Sequence, residues 1–219
     1  MTSVISCPYC HTSVIVPEEL RQVAETMPWS TLLFDNFTSN DNNWAIGDRN
    51  TDHFTKLSRN ITEGRYRWQA VANTTSSIAT IWLKDYQLTD FHLLVNSKHI
   101  GGSRAGSCCG VVFRLQDEHN YYWFHITDSQ FFRVSLKKDR QWLHVVDRTR
   151  TNAIKPNGVN QAEVVPRGSH FLFLINGQLA CEVEDNRLSQ GAPGLAVEGY
   201  RPGEEIVYDF MDITLRAPG

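Results

Sequence analysis

The sequence predicts an all-β protein, a two-sheet antiparallel sandwich carried on a short N-terminal cysteine-bearing arm and helix. Two observations predict the sandwich. From Trp29 to the end, short apolar or alternating runs succeed one another, separated by Gly, Asn, Asp and Pro, which is the pattern of a sandwich or barrel. Asn176-Gly177 stands between Phe171–Ile175 and Leu179–Val183, and both residues tolerate the positive φ that a tight hairpin turn demands. The length of 219 residues suits one substantial core, because β sandwiches of this size are routinely a single domain.

The arm comes first. Composition changes near Pro28, so we divide the chain into residues 1–28 and 29–219. Pro17-Glu18-Glu19 is a good helix start, since proline presets φ and the carboxylates meet the positive end of the helix dipole. A helix is predicted at about 18–26. The predicted strands then follow in order: Thr31–Phe37, Arg65–Ala72, Ser77–Leu83, Phe91–Ser97, Cys109–Gln116, Tyr121–Thr127 and Phe131–Leu136. After these come Trp142–Arg148, Ala162–Val165, His170–Asn176, Leu179–Glu184, Gly194–Glu198 and Ile206–Leu215. Alternation is plain where Tyr66, Trp68 and Ala70 interleave with Arg65, Arg67 and Gln69, and a one-residue slip would turn such a strand inside out. Gly101–Ser107 reads as a loop.

Composition narrows the functional classes. A net charge of −3 without a basic patch argues against nucleic acid as partner. No apolar run approaches the roughly 18 residues that span a bilayer. The N-terminus lacks a basic segment followed by an apolar stretch, and five cysteines are an odd and sparse set. Both features predict a cytoplasmic protein with reduced thiols. The sequons at Asn36, Asn60 and Asn73 are then ordinary turn residues.

Several motifs, taken in order, resemble a known family. Phe34-Asp35-Asn36-Phe37 followed by Trp44 is similar to an opening strand. Gly110-Val111-Val112-Phe113-Arg114 and Asn120-Tyr121-Tyr122-Trp123-Phe124 resemble a central strand pair. Leu174-Ile175-Asn176-Gly177-Gln178-Leu179 resembles a characteristic hairpin, and Gly191–Gly194 and Asp209-Phe210 resemble the closing strands. Over residues 30–216 the chain thus resembles the bacterial concanavalin A-like, or laminin G-like, jelly-roll domains, near the 3-keto-disaccharide hydrolase-like families. The resemblance implies a jelly roll with one concave face. It leaves function open among carbohydrate binding, glycan hydrolysis and signalling attachment.

Cys7-Pro8-Tyr9-Cys10, running on to Arg21, resembles the second knuckle of a zinc ribbon whose first knuckle is missing. Structural zinc takes four Cys or His ligands. Cys7 and Cys10 supply two, His11 is too close to them to serve as the third, and Cys108 and Cys109, the other candidate pair, are adjacent residues that rarely both reach one ion. A second chain could supply the other pair, which would make the arm a route to a homo-oligomer.

For hydrolysis two carboxylates should flank a sugar bond. Glu182 and Glu184 alternate on one strand but read better as a solvated face, and Glu204 and Glu205 point apart. For recognition, aromatic rings stack on sugars while Arg and His donate hydrogen bonds. If Tyr122, Phe124 and Ile126 face the core, Tyr121, Trp123 and His125 share the other face, with Arg114 and Arg133 joining from neighbouring strands. Trp123 could equally be core, whereas Trp44, Trp68 and Trp82 read as core and Trp142 stays undecided. Asp35 and Asp209 do not assemble a calcium loop. The sequence therefore predicts a non-catalytic recognition module, binding a glycan or a protein partner on the concave face through Arg114, Tyr121, Trp123, His125 and Arg133. A hydrolase of modified disaccharides and a zinc-linked assembly or signalling adaptor are the alternatives.

Overall fold

A computed structural model describes residues 4–6, 13–15, 29–49 and 51–219. The predicted helix, Cys7, Cys10 and His11 lie outside the described residues. The described residues form strands and turns, with no helix among them. Strands β1 (Val4–Ser6) and β2 (Ser13–Ile15) pair antiparallel in a sheet of their own.

The rest forms two antiparallel sheets. In chain order the strands are β3 (Trp29–Asp35), β4 (Gly47–Arg49), β5 (Phe54–Thr62), β6 (Arg65–Ala72), β7 (Ser77–Trp82), β8 (His92–Gly101) and β9 (Ser107–Asp117). Then come β10 (Asn120–Thr127), β11 (Phe131–Lys138), β12 (Gln141–Arg150), β13 (Val159–Arg167) and β14 (His170–Ile175). The last are β15 (Gln178–Glu184), β16 (Ala192–Gly199) and β17 (Glu205–Pro218). One sheet has six strands in the order β12-β11-β10-β9-β16-β7. The other has nine, β15-β14-β13-β8-β17-β6-β5-β4, with β3 added along β17.

Period-two burial drives the assembly. On β6 the side chains of Tyr66, Trp68, Ala70 and Ala72 are buried while their neighbours are partly exposed, and β13 and β14 repeat the pattern. Rings from both sheets meet in the middle. Phe113 stacks on Tyr122 at 5.1 Å and meets Phe171 edge-on at 5.5 Å, while Phe124 packs on Phe173 at 5.0 Å. Each such ring stabilises the sandwich by about 1.5–3 kcal/mol relative to exposure. At the Asn176-Gly177 turn φ is 51° and 74°, as the hairpin requires. Asp35 caps the entry by accepting bonds from Phe37 N, Trp44 Nε1 and Asn42 Nδ2, and Asp209 receives the Arg67 guanidinium.

Strands β4 and β5 carry no sequence signal of this kind. A register shift between Phe54 and Lys56 breaks the alternation of β5. Its inward side chain Arg59 looks like a surface residue in sequence, yet its guanidinium lies 3.9 Å from the Trp68 ring centroid and donates to Thr80 O.

Strands β9, β10 and β16 depart from alternation in the opposite sense, because nearly every residue on them is buried on both faces. The outward face of the six-stranded sheet is therefore closed by side chains of its own. A second apolar cluster there joins Cys108, Val112, Leu115, Tyr121, Trp123 and Ala196, flanked by Ile78, Trp82 and Tyr200.

Candidate functional site

The outward face gathers its polar groups from five strands. Period two on β10 sends Tyr121, Trp123 and His125 outward while Tyr122, Phe124 and Ile126 enter the core. Register then fixes their neighbours: Trp123 pairs with Ser135 and His125 with Arg133 on β11, and Ser135 pairs with His144 on β12. On the other side His125 pairs with Gly110 of β9, and Glu198 of β16 pairs with Cys108. At Gly110 a Cβ would lie 2.1 Å from Phe124 O, so the close approach of two backbones requires glycine there.

A groove of about 210 Å³ runs over this face, lined by Ser76, Trp123, His125, Arg133, Ser135, Trp142, His144 and Glu198. A second hollow of about 260 Å³ adjoins it through His125 and Arg133, with Tyr200 and Arg148 in its wall. A larger hollow of about 510 Å³ lies beside β7. Arg59 in its lining is engaged with Trp68 and Thr80 O and leaves one unpaired atom, Nε; the outward face gathers three unpaired atoms, and we place the candidate site there.

Burial sets the electrostatics of the groove. Glu198 is 6% exposed, and desolvation pushes its carboxyl up to about 7. The carboxyl accepts a hydrogen bond from Ser76 Oγ and one from Cys108 Sγ at 3.7 Å. Burial, aided by Glu198, drives the Cys108 thiol well above its ordinary range. His125 is 5% exposed, and burial followed by the Arg133 charge holds it down to about 3, which fixes a neutral imidazole. Trp123 Nε1, His125 Nδ1 and Arg133 Nε have no hydrogen-bond partner. Most buried polar atoms in proteins are paired, so three unpaired atoms on one face make it the candidate site.

The structure brings Tyr121, Trp123, His125 and Arg133 onto this one face. Arg114 is a correction. Strand β9 carries an extra residue here: Ala192 pairs with Leu115 while Gly194 pairs with Val112. At the bulge Arg114 takes φ 48°. This turns Leu115 to the outer cluster and sends the guanidinium toward the core edge, 4.6 Å from the Phe171 ring centroid. There it donates to the carbonyls of Leu188, Thr89 and Gly168. It is a structural clamp.

The second correction concerns the rings. Trp123 is 2% exposed, with its ring edge-on to His125 at 4.3 Å. Tyr121 is covered by Trp142, whose ring stands 5.8 Å away. Neither offers a flat open surface to a sugar. Trp142, on edge strand β12, is 38% exposed and does; Lys137 Nζ sits 5.7 Å from its centroid. Sequence reasoning missed Glu198 and His144 and left Trp142 undecided. Alternation in Leu195-Ala196-Val197-Glu198 could have flagged Glu198 as opposite in facing to two apolar residues. Its meeting with Cys108 depends on the β9–β16 pairing between distant segments, which no local signal records.

No family model and no curated protein matches the chain. Solved structures do. A GlcNAcα1-4Gal-releasing endo-β-galactosidase from Clostridium perfringens superposes with a TM-score of 0.61 at 10% identity, over 87% of this chain and 63% of that one. Bacillus licheniformis β-glucanase gives 0.60 at 10% identity, over 87% and 98%. A Bacteroides ovatus GH16 protein in complex with a G4G4G3G product gives 0.59 at 7% identity, over 84% and 99%. The fold is therefore the concanavalin A-like jelly-roll sandwich. Identities this low establish the fold and leave function to the site.

Proposed function

We propose that the outward face of the six-stranded sheet binds a glycan without cleaving it. The observation that carries the reading is the make-up of the groove: one exposed aromatic ring, several hydrogen-bonding side chains and a single carboxylate. Trp142 supplies a stacking surface at the rim. Arg133, His144 and Ser135 line the floor and wall beside it, and can engage hydroxyl groups. The endo-β-galactosidase, the β-glucanase and the GH16 protein named above share this fold and are named for glycan substrates or products, which supports a glycan as the ligand class.

The carboxylate count separates binding from hydrolysis. Glycosidic cleavage by paired acids needs two carboxyl groups about 5–5.5 Å apart for retention or about 6.5–9.5 Å apart for inversion. Glu198 is the one acid among the side chains of the groove and the adjoining hollow. Its raised pKa would suit a general acid, yet no second acid stands across the groove from it.

The test is a glycan array followed by titration calorimetry with the best hits, using wild type, Trp142→Ala and Arg133→Ala. We expect binding by wild type and a loss of about 30-fold for Trp142→Ala, the scale of an aromatic anchor. No new reducing ends should form on prolonged incubation. Failure to bind any glycan by a folded chain overturns the proposal. So does turnover that disappears in Glu198→Gln, which would establish a hydrolase instead.

A further inference from the structure

We propose that Cys108, His125 and Glu198 form a binding site for one zinc ion in the floor of the outward face. They come from β9, β10 and β16, three adjacent strands in the middle of the six-stranded sheet. One ligand atom from each lies within 4.8 Å of the other two, and all three residues are buried. This site is independent of whether the groove accepts a glycan.

The separations suit the ion. Zn–S and Zn–O bonds of about 2.3 and 2.1 Å at a tetrahedral angle put sulfur and oxygen about 3.6 Å apart. Cys108 Sγ and Glu198 Oε2 stand 3.7 Å apart. A thiolate, an imidazole and a carboxylate are a donor set for zinc rather than for calcium or magnesium, which want oxygen alone. His125 adds an independent observation: its Nδ1 is buried without a hydrogen-bond partner, a state that native structures rarely tolerate unless something occupies the space. Three protein ligands leave a fourth position open. Because His125 and Glu198 also line the groove, that position is reached from the groove side.

Charge and proton bookkeeping close. The imidazole is neutral and gives its lone pair without losing a proton. Zinc displaces the thiol proton of Cys108 and whatever proton Glu198 carries. Two negative ligands then neutralise the doubly charged ion. The neighbouring groups that bear on this are Arg133, whose charge acts on both His125 and Glu198, and Tyr200, which hydrogen-bonds Cys108. Affinity should rise with pH, with between one and two protons released for each ion bound.

The test uses the full chain, freed of metal by a chelator and then dialysed. Cys7→Ser/Cys10→Ser is the working background, because that thiol pair could hold zinc separately. We expect one zinc per chain in this background and a thiolate-to-cobalt charge-transfer band on cobalt substitution. Both should be lost in Cys108→Ser, and zinc should be held at least about 10-fold more weakly in Glu198→Gln. Zinc-edge X-ray absorption of the background chain, which leaves the site unaltered, should give one sulfur with nitrogen and oxygen donors. Zinc bound only when Cys7 and Cys10 are present overturns the proposal. A cobalt band that survives Cys108→Ser, or a zinc shell with two or more sulfurs, overturns it as well.

Discussion

Arg114→Met separates a structural role from a ligand-binding one. Arg114 is 1% exposed and lies in left-handed backbone at the β9 bulge. Its Nη1 donates to Leu188 O at 2.8 Å, and its Nη2 donates to Thr89 O at 3.0 Å and to Gly168 O. Methionine can keep much of the packing against Phe171 and meets the same backbone strain, so the difference isolates the donors. Only the Leu188 carbonyl belongs to a buried residue, and leaving it without a partner costs about 1–3 kcal/mol, whereas the exposed Thr89 and Gly168 carbonyls can turn to water and lose less. Against that, methionine removes the desolvation cost of a buried cation. The Arg114 guanidinium pays this cost visibly, since burial lowers its pKa. We expect a net loss of roughly 2 kcal/mol and a fall in Tm of about 4–8 °C. Equilibrium urea unfolding followed by tryptophan fluorescence measures the first, and calorimetry the second. Arg114→Lys should fall between, because an ammonium keeps the charge but lacks the planar fork. A loss below about 1 kcal/mol would refute the clamp. A folded Arg114→Met chain that has lost glycan affinity would return Arg114 to the binding face.

Two further predictions concern the groove and the frame. Glu198 has its carboxyl raised from 4.5 to about 7 by burial, so the stability of its neutral form is fully present below pH 4.5 and is lost as pH rises through 7. That amounts to about 3 kcal/mol between pH 4.5 and 8. Gln cannot ionise, so with chelator present Glu198→Gln should gain on wild type by this amount across that window in urea unfolding, and a pH-independent difference would sink the assignment. His125 acts in the opposite direction, its contribution being present above 6.5 and lost as pH falls toward 3; it is common to both proteins and cancels in the comparison. At the β14–β15 turn, Gly177→Ala meets no atom within 4 Å of the new Cβ but sits at φ 74°. The cost should be the backbone penalty alone, about 1–2 kcal/mol, and a neutral result in thermal unfolding would refute the turn type.

The frame was legible wherever burial alternates without interruption. Arg65–Ala72 is the same in sequence and structure because Tyr66, Trp68, Ala70 and Ala72 all enter one core. Legibility failed at bulges. One extra residue in β9 reverses the facing of Arg114 and Leu115, and a shift in β5 hides Phe54 and Leu57 from any period-two template. The site was half legible for a different reason. Tyr121, Trp123, His125 and Arg133 come from the sequential hairpin β10–β11, where local alternation reports facing. Glu198, Cys108 and Trp142 reach the same face through β16, β9 and the edge strand β12, whose pairing partners and exposure are properties of the whole sheet.

Burial also decides which chemistry the face can support. The central strands are covered on both sides, so the rings that looked suited to stacking serve as walls, and the proposed ligand contact moves to the edge at Trp142. Deep in the groove burial pushes the Glu198 carboxyl up to about 7. Such a group can accept or donate a hydrogen bond to a sugar hydroxyl, or give up its proton to a metal. It cannot supply both halves of glycosidic cleavage, because the second half needs a separate group to attack the anomeric carbon or to activate water. The groups lining the groove with it include Arg133, Ser135, Trp142 and His144. None of these is a carboxylate, and the register neighbour of His144 is Ser135. One acid, two imidazoles and an edge tryptophan are thus the groups from which the proposed glycan contact is built.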